Sequence, residues 1–531
     1  METVHPTESA HPNVVVIGAG IGGTALTLLL AHAGLRVTLL EKNNYLGGFC
    51  AGYEKQGFQI DFSTHLFTRG PKGPLGEVLR RTGHDGAIDF RSTHNLFELF
   101  YRASDGTVRS IPYPSQLHRL PVMGWKCMRA LNLTPTDTVQ ACRLFTDITL
   151  MSPAKAATWN HRPLDEYISQ FTRNPRSKAL LFYIFTLAFV LPSWEMSAGE
   201  AIYCAQRALR DSSISYPAGG AKAIPLTYCR LARQLGAEIR TRAEVQRILV
   251  ADNKVHGVQL ADGSRVDADI VVSTSSLRST ALHLIEPGVL PSAYTDAAAK
   301  NKQSMSAVEV NVALKRRLVD SGCLIGAIGP GIALNTFDDN TERELVRELD
   351  NGRTPEIVFY YAPVPTNFDP SLAPPGHQLI TACTHTPTTD IAWQNPPAEW
   401  EDALLRTLRT IIPGLDEEIL FVDRTTSSWF EHWSGKEYGP LISTAQTPEQ
   451  VGAKRPSITT PVDGLYIAGD AAGGRGVGTE LAADSAMEAA ETIIHSLDRA
   501  LPRQWMTDRH ALPPLRKTIE LALRPTPVVH T

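Results

Sequence analysis

After a short polar stretch the chain reaches Asn13-Val14-Val15-Val16-Ile17, an uninterrupted β-branched apolar run of the kind that forms a strand buried on both faces. The pattern then changes to Gly18-Ala19-Gly20-Ile21-Gly22-Gly23. Residues 24–33 are leucine-rich and helical in pattern, with Gly34 placed to end the helix. Residues 36–40 supply a second short apolar strand, tipped by Glu41. Strand, glycine turn, helix and strand within about 30 residues form a βαβ unit, and its strands run parallel.

From about 85 to 210 aromatic and proline-rich pieces give way to helical patterns. Among them the run 179–191 is apolar apart from Thr186. As a helix its 13 residues cover about 20 Å, short of the ~30 Å hydrocarbon core of a bilayer. The run is therefore a core helix, the wall of an apolar pocket, or an edge that dips into a membrane. Strand texture returns at Tyr216-Pro-Ala-Gly-Gly220 and continues through 237–240, 245–250, 255–260 and 269–273, with turns at Asp252-Asn253 and Asp262-Gly263. A mixed region fills 290–450. Gly464-Leu-Tyr-Ile-Ala-Gly-Asp470 is one more buried strand, ending in a glycine and an acid, and a helix follows over about 479–495.

At 531 residues the chain is long enough for roughly three to four domain-sized units, and it needs at least two cores. Hydrophobic residues at 43% with charged residues at 20% exclude a mainly disordered chain. A net charge of −4 provides no global field for nucleic acid, and no nucleic-acid partner is expected. The seven cysteines (Cys50, Cys127, Cys142, Cys204, Cys229, Cys323, Cys383) are scattered and never form a C-x-x-C pair. Neither a disulfide framework nor a metal site is expected, and a reducing compartment fits. The first residues lack the pattern of a secretory leader. A cytoplasmic protein with at most peripheral membrane contact is the expectation.

The glycines of Gly18-x-Gly20-x-x-Gly23 each have a physical task. Gly18 turns the chain out of the strand, Gly20 lets a pyrophosphate approach the backbone, and Gly23 lets helix and strand pack closely. Phosphates then face the free amides of Ala19, Ile21 and Gly22 at the positive end of the helix. Glu41, eighteen residues beyond Gly23, suits ribose hydroxyls. Lys42 and the Gly47-Gly48 pair that follow, together with the distant Gly469-Asp470, match flavoproteins with two separated dinucleotide elements. FAD is therefore the expected cofactor, with Val477 and Gly478 opening the helix beside the flavin.

With both ends in view the chain resembles the phytoene desaturase and carotenoid isomerase group of FAD-dependent oxidoreductases, within the wider amine-oxidase-like class. The resemblance extends through Tyr216–Gly220, the block 245–273 and Arg455-Pro456. It implies that Val245 touches the adenine through its backbone, that the acid of Gly-Asp meets the ribityl chain, and that the electron acceptor is oxygen or a quinone. Three departures stand out: Phe49 where many relatives have a flavin-facing arginine, Asp61-Phe62-Ser63-Thr64-His65 where desaturases read Asp-x-Gly-Pro, and Leu481-Ala-Ala-Asp484 in place of a small pair.

The expected fold class is α/β: a discontinuous Rossmann-like FAD-binding domain with a parallel sheet, built from 10–80, 215–285 and 455–500. An α+β substrate domain comes from 85–210 and 290–450, and 501–531 form a peripheral tail. His65 is the candidate catalytic residue, or else a structural histidine held by hydrogen bonds. Arg475 sits beside the flavin or in a solvated loop, and Asp484 serves the flavin-side helix or its packing. Phe185 and Phe189 are candidates for the substrate wall, as are Phe182, Tyr183, Trp194, Trp429, Phe430 and Trp433, or they are ordinary core. Three functions stay open: redox chemistry on C–C bonds of an elongated apolar, polyene- or isoprenoid-like substrate; amine or other small-molecule oxidation; and non-catalytic prenyl binding of the Rab GDP-dissociation inhibitor type.

Overall fold

The valine run at the start of the chain is buried by two different layers. Val14 and Val16 face a core shared with the helices Ile21–His32, Ala223–Gln234 and Gly478–Ser496, through Leu26, Leu30, Tyr228 and Ile493. Val15 and Ile17 face the opposite way, onto Ile248, Val258 and Leu260. These belong to a three-stranded antiparallel sheet of Val245–Ala251, Lys254–Leu260 and Arg265–Asp267. Successive side chains of a strand point to opposite faces, so covering both faces removes any hydrophobic alternation. The computed structural model describes residues 12–63, 65–103, 105–114, 125–126, 129–130, 133–211, 213–329, 339–394, 396–397 and 399–512. Thr64, Cys127 and 513–531 of the expected tail lie outside the described residues.

Asn13–Ile17 is the middle strand of a five-stranded parallel sheet, ordered Leu465–Ile467, Ile270–Ser273, Asn13–Ile17, Arg36–Leu40, Glu238–Arg240. Val15 pairs with Val271 on one side and with Thr38 on the other. The sheet thus gathers strands from three separated parts of the chain. In the antiparallel layer the turn at Asp252 and Asn253 places both residues at positive φ, 49° and 58°, as a two-residue hairpin matched to strand twist demands.

The second sheet has seven strands, ordered Ile419–Thr425, Ser306–Leu314, Gln378–Thr386, Val358–Pro363, Cys323–Ile328, Asn95–Arg102, Val108–Pro114. Cys323–Ile328 lies parallel to Asn95–Arg102, and the other pairings are antiparallel. Helix Trp400–Ile411 covers one face through Trp400, Leu404 and Leu408 against Val310 and Val312. On the other face Phe58 and Ile60 meet Ala313 and Leu379, and Phe430 of helix Ser427–Ser434 meets Ala307 and Cys383. The fold is therefore α/β, a Rossmann-like parallel sheet joined to an α+β layer.

Three helices, Pro135–Leu150, Pro175–Phe189 and Ala198–Asp211, flank this sheet. The second carries the apolar run. Its N-terminus is capped by Asn174, whose side chain accepts the Arg176 N–H at 3.0 Å, and Val190 ends it at φ 55°. Tyr183 ties this helix to the sheet, its hydroxyl accepting the Gly326 N–H and donating to the Tyr360 carbonyl, each at 2.6 Å. Among the described residues no helix is long and apolar enough to cross a membrane.

Residues 501–512 depart from the expected peripheral tail. Trp505 is 1% exposed and belongs to the core under the parallel sheet. Its Nε1–H donates to the Arg81 carbonyl at 3.1 Å, and Arg509 reaches Glu488 and Glu491 on helix Gly478–Ser496 at 3.2 and 2.5 Å. A single indole can bury about 150–250 Å², enough to dock a segment whose prolines read as loop. Trp505→Ala is expected to cost about 3–5 kcal/mol in denaturant unfolding. Met506→Ala, at a side chain 77% exposed, is expected to change stability by no more than ~0.5 kcal/mol. Equal effects at the two positions would return this segment to the periphery.

Candidate active site

The glycine turn shows what each missing side chain makes room for. A Cβ on Gly23 would fall 1.9 Å from the Gly18 carbonyl oxygen, so this glycine serves packing. A Cβ on Gly22 would come within 2.8 Å of the Gly469 Cα, so the first and last cofactor elements touch. Gly20 differs: a Cβ there would meet nothing within 4 Å, because it faces open cavity. Helix Ile21–His32 begins at this point without a side-chain cap, which leaves its first amides to bind an anion.

Glu41 stands at the tip of the next strand. Its two oxygens accept the Ala19 and Asn43 N–H groups, each at 2.8 Å, and each oxygen keeps a lone pair for a ribose hydroxyl. Burial raises its pKa, against those two amides, which lower it. Lys42 Nζ donates to the His432 carbonyl at 2.7 Å and the Asn43 side chain to the Trp433 carbonyl at 3.1 Å. Trp433 Nε1–H in turn donates to the Gly48 carbonyl at 3.2 Å. The cradle is thereby fastened to helix Ser427–Ser434, which packs on the seven-stranded sheet.

Asp470 accepts the Ser443 N–H and hydroxyl, each at 2.8 Å, and pairs with Lys436 Nζ at 2.8 Å. Although buried, it is held below the usual carboxylate range by Lys436 and Ser443. The Lys436 ammonium also lies 5.2 Å from the centre of the Phe49 ring, within cation–π reach. A cation from a distant loop thus lies beside the aromatic ring at position 49.

These groups line one cavity of about 1310 Å³. Of the residues expected to hold FAD, Gly18, Ala19, Gly20, Ile21, Gly22, Glu41, Lys42, Gly47, Gly48, Val245, Gly469, Asp470, Val477 and Gly478 are on its wall, while Gly23 lies behind it. The donor set suits a dinucleotide: uncapped amides and a bare Gly20 for phosphates, and a carboxylate for a ribose. Beyond the cradle the cavity continues between apolar side chains, among them Leu99, Ile111, Leu144, Leu181 and Leu187.

His65 is on the wall, but its Nε2 lies 2.9 Å from the Phe49 carbonyl and 3.6 Å from Cys50 Sγ. Burial lowers its pKa, against the Phe49 hydrogen bond, which raises it, and an Nε2–H donated to that carbonyl holds the Phe49 turn in place. Arg475 is off the cavity, bonded to the buried Glu200 at 2.9 and 2.7 Å and lying 4.0 Å above the Tyr203 ring. Asp484 is also off the wall. It accepts the Arg475 N–H at 2.8 Å, pairs with Arg509 at 3.3 Å, and is pushed up to about 6 by burial.

Phe185 and Phe189 do not line the cavity. Phe189 is 1% exposed among Leu144, Trp159 and Ile202, and Phe185 packs against the same cluster. The helix shows Leu181, Ile184, Leu187 and Ala188 to the cavity instead. An element that is apolar all round carries no phase from which its exposed face can be read. Of the other aromatic candidates Trp433 reaches the wall, and Trp194 lies under Arg343 at 4.0 Å. Lys436, Tyr361 and His385 are wall residues that sequence reasoning missed. A strand pattern does not tell which of two buried faces meets a cavity.

A phosphate-binding βαβ turn, a second glycine–acid element pressed against it and an adjoining apolar chamber define an FAD-dependent oxidoreductase. Residues 21–494 match the flavin containing amine oxidoreductase family, and the chain belongs to it. The chain is 24% identical over 507 residues to prolycopene isomerase, chloroplastic, of Daucus carota, covering 88% of this chain and 78% of that protein. It is also 24% identical over 526 residues to the lycopene-forming phytoene desaturase of Paracoccus sp., covering 92% and 99%. Among solved structures an oxidoreductase from Methanosarcina mazei shares the fold with a TM-score of 0.68 at 22% identity, covering 90% of this chain and 100% of that one.

Two glycine variants separate cradle from scaffold. Gly20 has extended backbone, φ −68° and ψ −176°, which any residue adopts. Gly20→Ala is expected to keep the melting temperature of the apoprotein while abolishing FAD retention, measured as flavin per chain. Gly23→Ala is expected to destabilise the apoprotein itself by about 1–3 kcal/mol through overpacking. Full FAD content in Gly20→Ala would remove the pyrophosphate from this turn.

Proposed function

We propose that the protein is an FAD-dependent oxidoreductase acting on C–C bonds of an elongated apolar, polyene- or isoprenoid-like substrate, by desaturation or by isomerisation or saturation of the same bonds. The observation that carries this reading is the single chamber in which the cofactor cradle runs on into apolar walls. Its volume of about 1310 Å³ exceeds the ~300–1,000 Å³ of an ordinary ligand pocket, leaving room for a dinucleotide and a long substrate. Names in the family lend support, since two relatives are named for prolycopene and phytoene.

FAD when bound supplies a hydride acceptor or donor. The chain supplies position and dryness. Leu99, Ile111, Leu181 and Leu187 exclude water, and burial of a hydrocarbon contributes about 0.8 kcal/mol per CH₂. Cys50 is buried and its thiol is pushed up by desolvation, so it offers no thiolate for a covalent flavin link and FAD is held non-covalently. Oxygen or a quinone takes the electrons.

Phe145, Ile184 and Leu209 line the cavity and yet are 42%, 49% and 40% exposed, forming an apolar rim on the three flanking helices. That rim suits peripheral contact with a bilayer from which an apolar substrate is drawn. Lys178 is already paired with Asp165 at 2.6 Å, so the rim, more than the basic helix end, makes the contact. Amine oxidation is the rival reading, favoured by the family's name and by Trp433 at the cofactor end of the cavity.

Anaerobic mixing with phytoene is expected to bleach the bound flavin or yield isomerised polyene, with putrescine inert. Leu187→Asp is expected to reduce polyene turnover by at least ~100-fold, about 3 kcal/mol in the transition state, while flavin content is unchanged. Bleaching by the amine alone, with no polyene product, would overturn the proposal.

A further inference from the structure

Two polar side chains on the cavity wall, Tyr361 and His385, have no hydrogen-bond partner among the described residues. Tyr361 lies on strand Val358–Pro363 and His385 on the neighbouring antiparallel strand Gln378–Thr386. Tyr361 pairs with Cys383, and residues two apart on a strand share a face. Tyr361, Cys383 and His385 therefore stand together, and all three line the chamber. Diagonal neighbours in such a pair are about 7–8 Å apart at their backbones, a gap that one small polar group closes between a phenol and an imidazole.

The pair belongs to the cofactor end of the chamber. Phe49, Tyr361 and Leu441 pack against the cluster of Ala307, Cys383 and Phe430, next to the turn that carries Gly47 and Gly48. Other polar groups around it are committed elsewhere: His65 to the Phe49 carbonyl, Lys436 to Asp470, and Tyr183 to Tyr360. Desolvation holds His385 down at about 4 and keeps the Tyr361 phenol protonated. At neutral pH the phenol is a donor, and the uncharged imidazole keeps one ring nitrogen as an acceptor.

We infer that Tyr361 and His385 form a hydroxyl-binding subsite, so that the chamber binds an elongated apolar alcohol more tightly than the corresponding hydrocarbon or ether. Tyr361 donates to the substrate oxygen, and the substrate O–H donates to the free nitrogen of His385. A group that is both donor and acceptor satisfies the two side chains at once, whereas an ether satisfies the phenol alone. The inference rests on the apolar-substrate reading above and sharpens it.

The test is titration of the purified, FAD-loaded protein with geranylgeraniol and with its methyl ether, followed by quenching of tryptophan fluorescence. The wild type is expected to bind the alcohol about tenfold more tightly than the ether, the effect of leaving one buried polar group unpaired. Tyr361→Phe and His385→Leu are expected to weaken alcohol binding by a similar factor. His385→Leu should leave ether binding unchanged, and His385→Gln, which keeps an acceptor, should restore part of the alcohol preference. Equal binding of alcohol and ether by the wild type overturns the subsite and leaves the apolar-substrate proposal standing. Failure of both ligands to bind overturns that proposal and the subsite with it.

Discussion

The cofactor cradle depends on a close approach between two glycines far apart in the chain. Gly22, in the first helix, presses against Gly469, at the tip of the last strand, and a Cβ at Gly22 would sit 2.8 Å from the other backbone. Gly48 closes from the third side, its missing Cβ directed 3.1 Å from the Gly20 Cα. Three backbone segments thus meet without side chains, and the resulting cradle exposes amides where any larger residue would bury them. The parallel sheet can be interrupted by two long insertions because this contact, with the strand pairings beside it, draws the pieces back together.

The insertions are not passive. Helix Ser427–Ser434 and the loop after it connect the seven-stranded sheet to the cradle through Lys42, Asn43, Trp433 and Lys436. Around Trp433 an aromatic group of Phe62 and Trp429, with ring centres 4.4 and 5.4 Å away, fills the seam between the layers. The cradle and the seven-stranded sheet therefore share one set of direct contacts. The seam also carries a charge: the Lys436 ammonium lies beside the Phe49 ring and is paired with Asp470.

What was legible in the sequence was local. Val14–Ile17, the glycine turn and Glu41 lie within one βαβ unit, and their chemistry follows from spacing alone. Gly469-Asp470 was legible because it ends a buried strand in a recognisable way. Residues whose role depends on a distant surface were not. Phe189 and Leu187 are equally apolar, and only packing of the helix against Leu144 and Ile202 decides that one is core and the other wall. Trp505 looked like part of a loop until Arg81 and the last helix gave it a pocket. Tyr361 and His385 become neighbours only through strand pairing across a sheet, which no local pattern encodes.

That the cofactor cradle and the substrate chamber are one space is best tested by the visible spectrum of the bound flavin during titration with a non-reacting long-chain isoprenoid. Ligand entering the same chamber displaces water beside the flavin, so the expected result is a saturable shift of the flavin absorption bands, reached at stoichiometric ligand. Binding detected by equilibrium dialysis with an unchanged flavin spectrum would place the ligand elsewhere and contradict the single chamber.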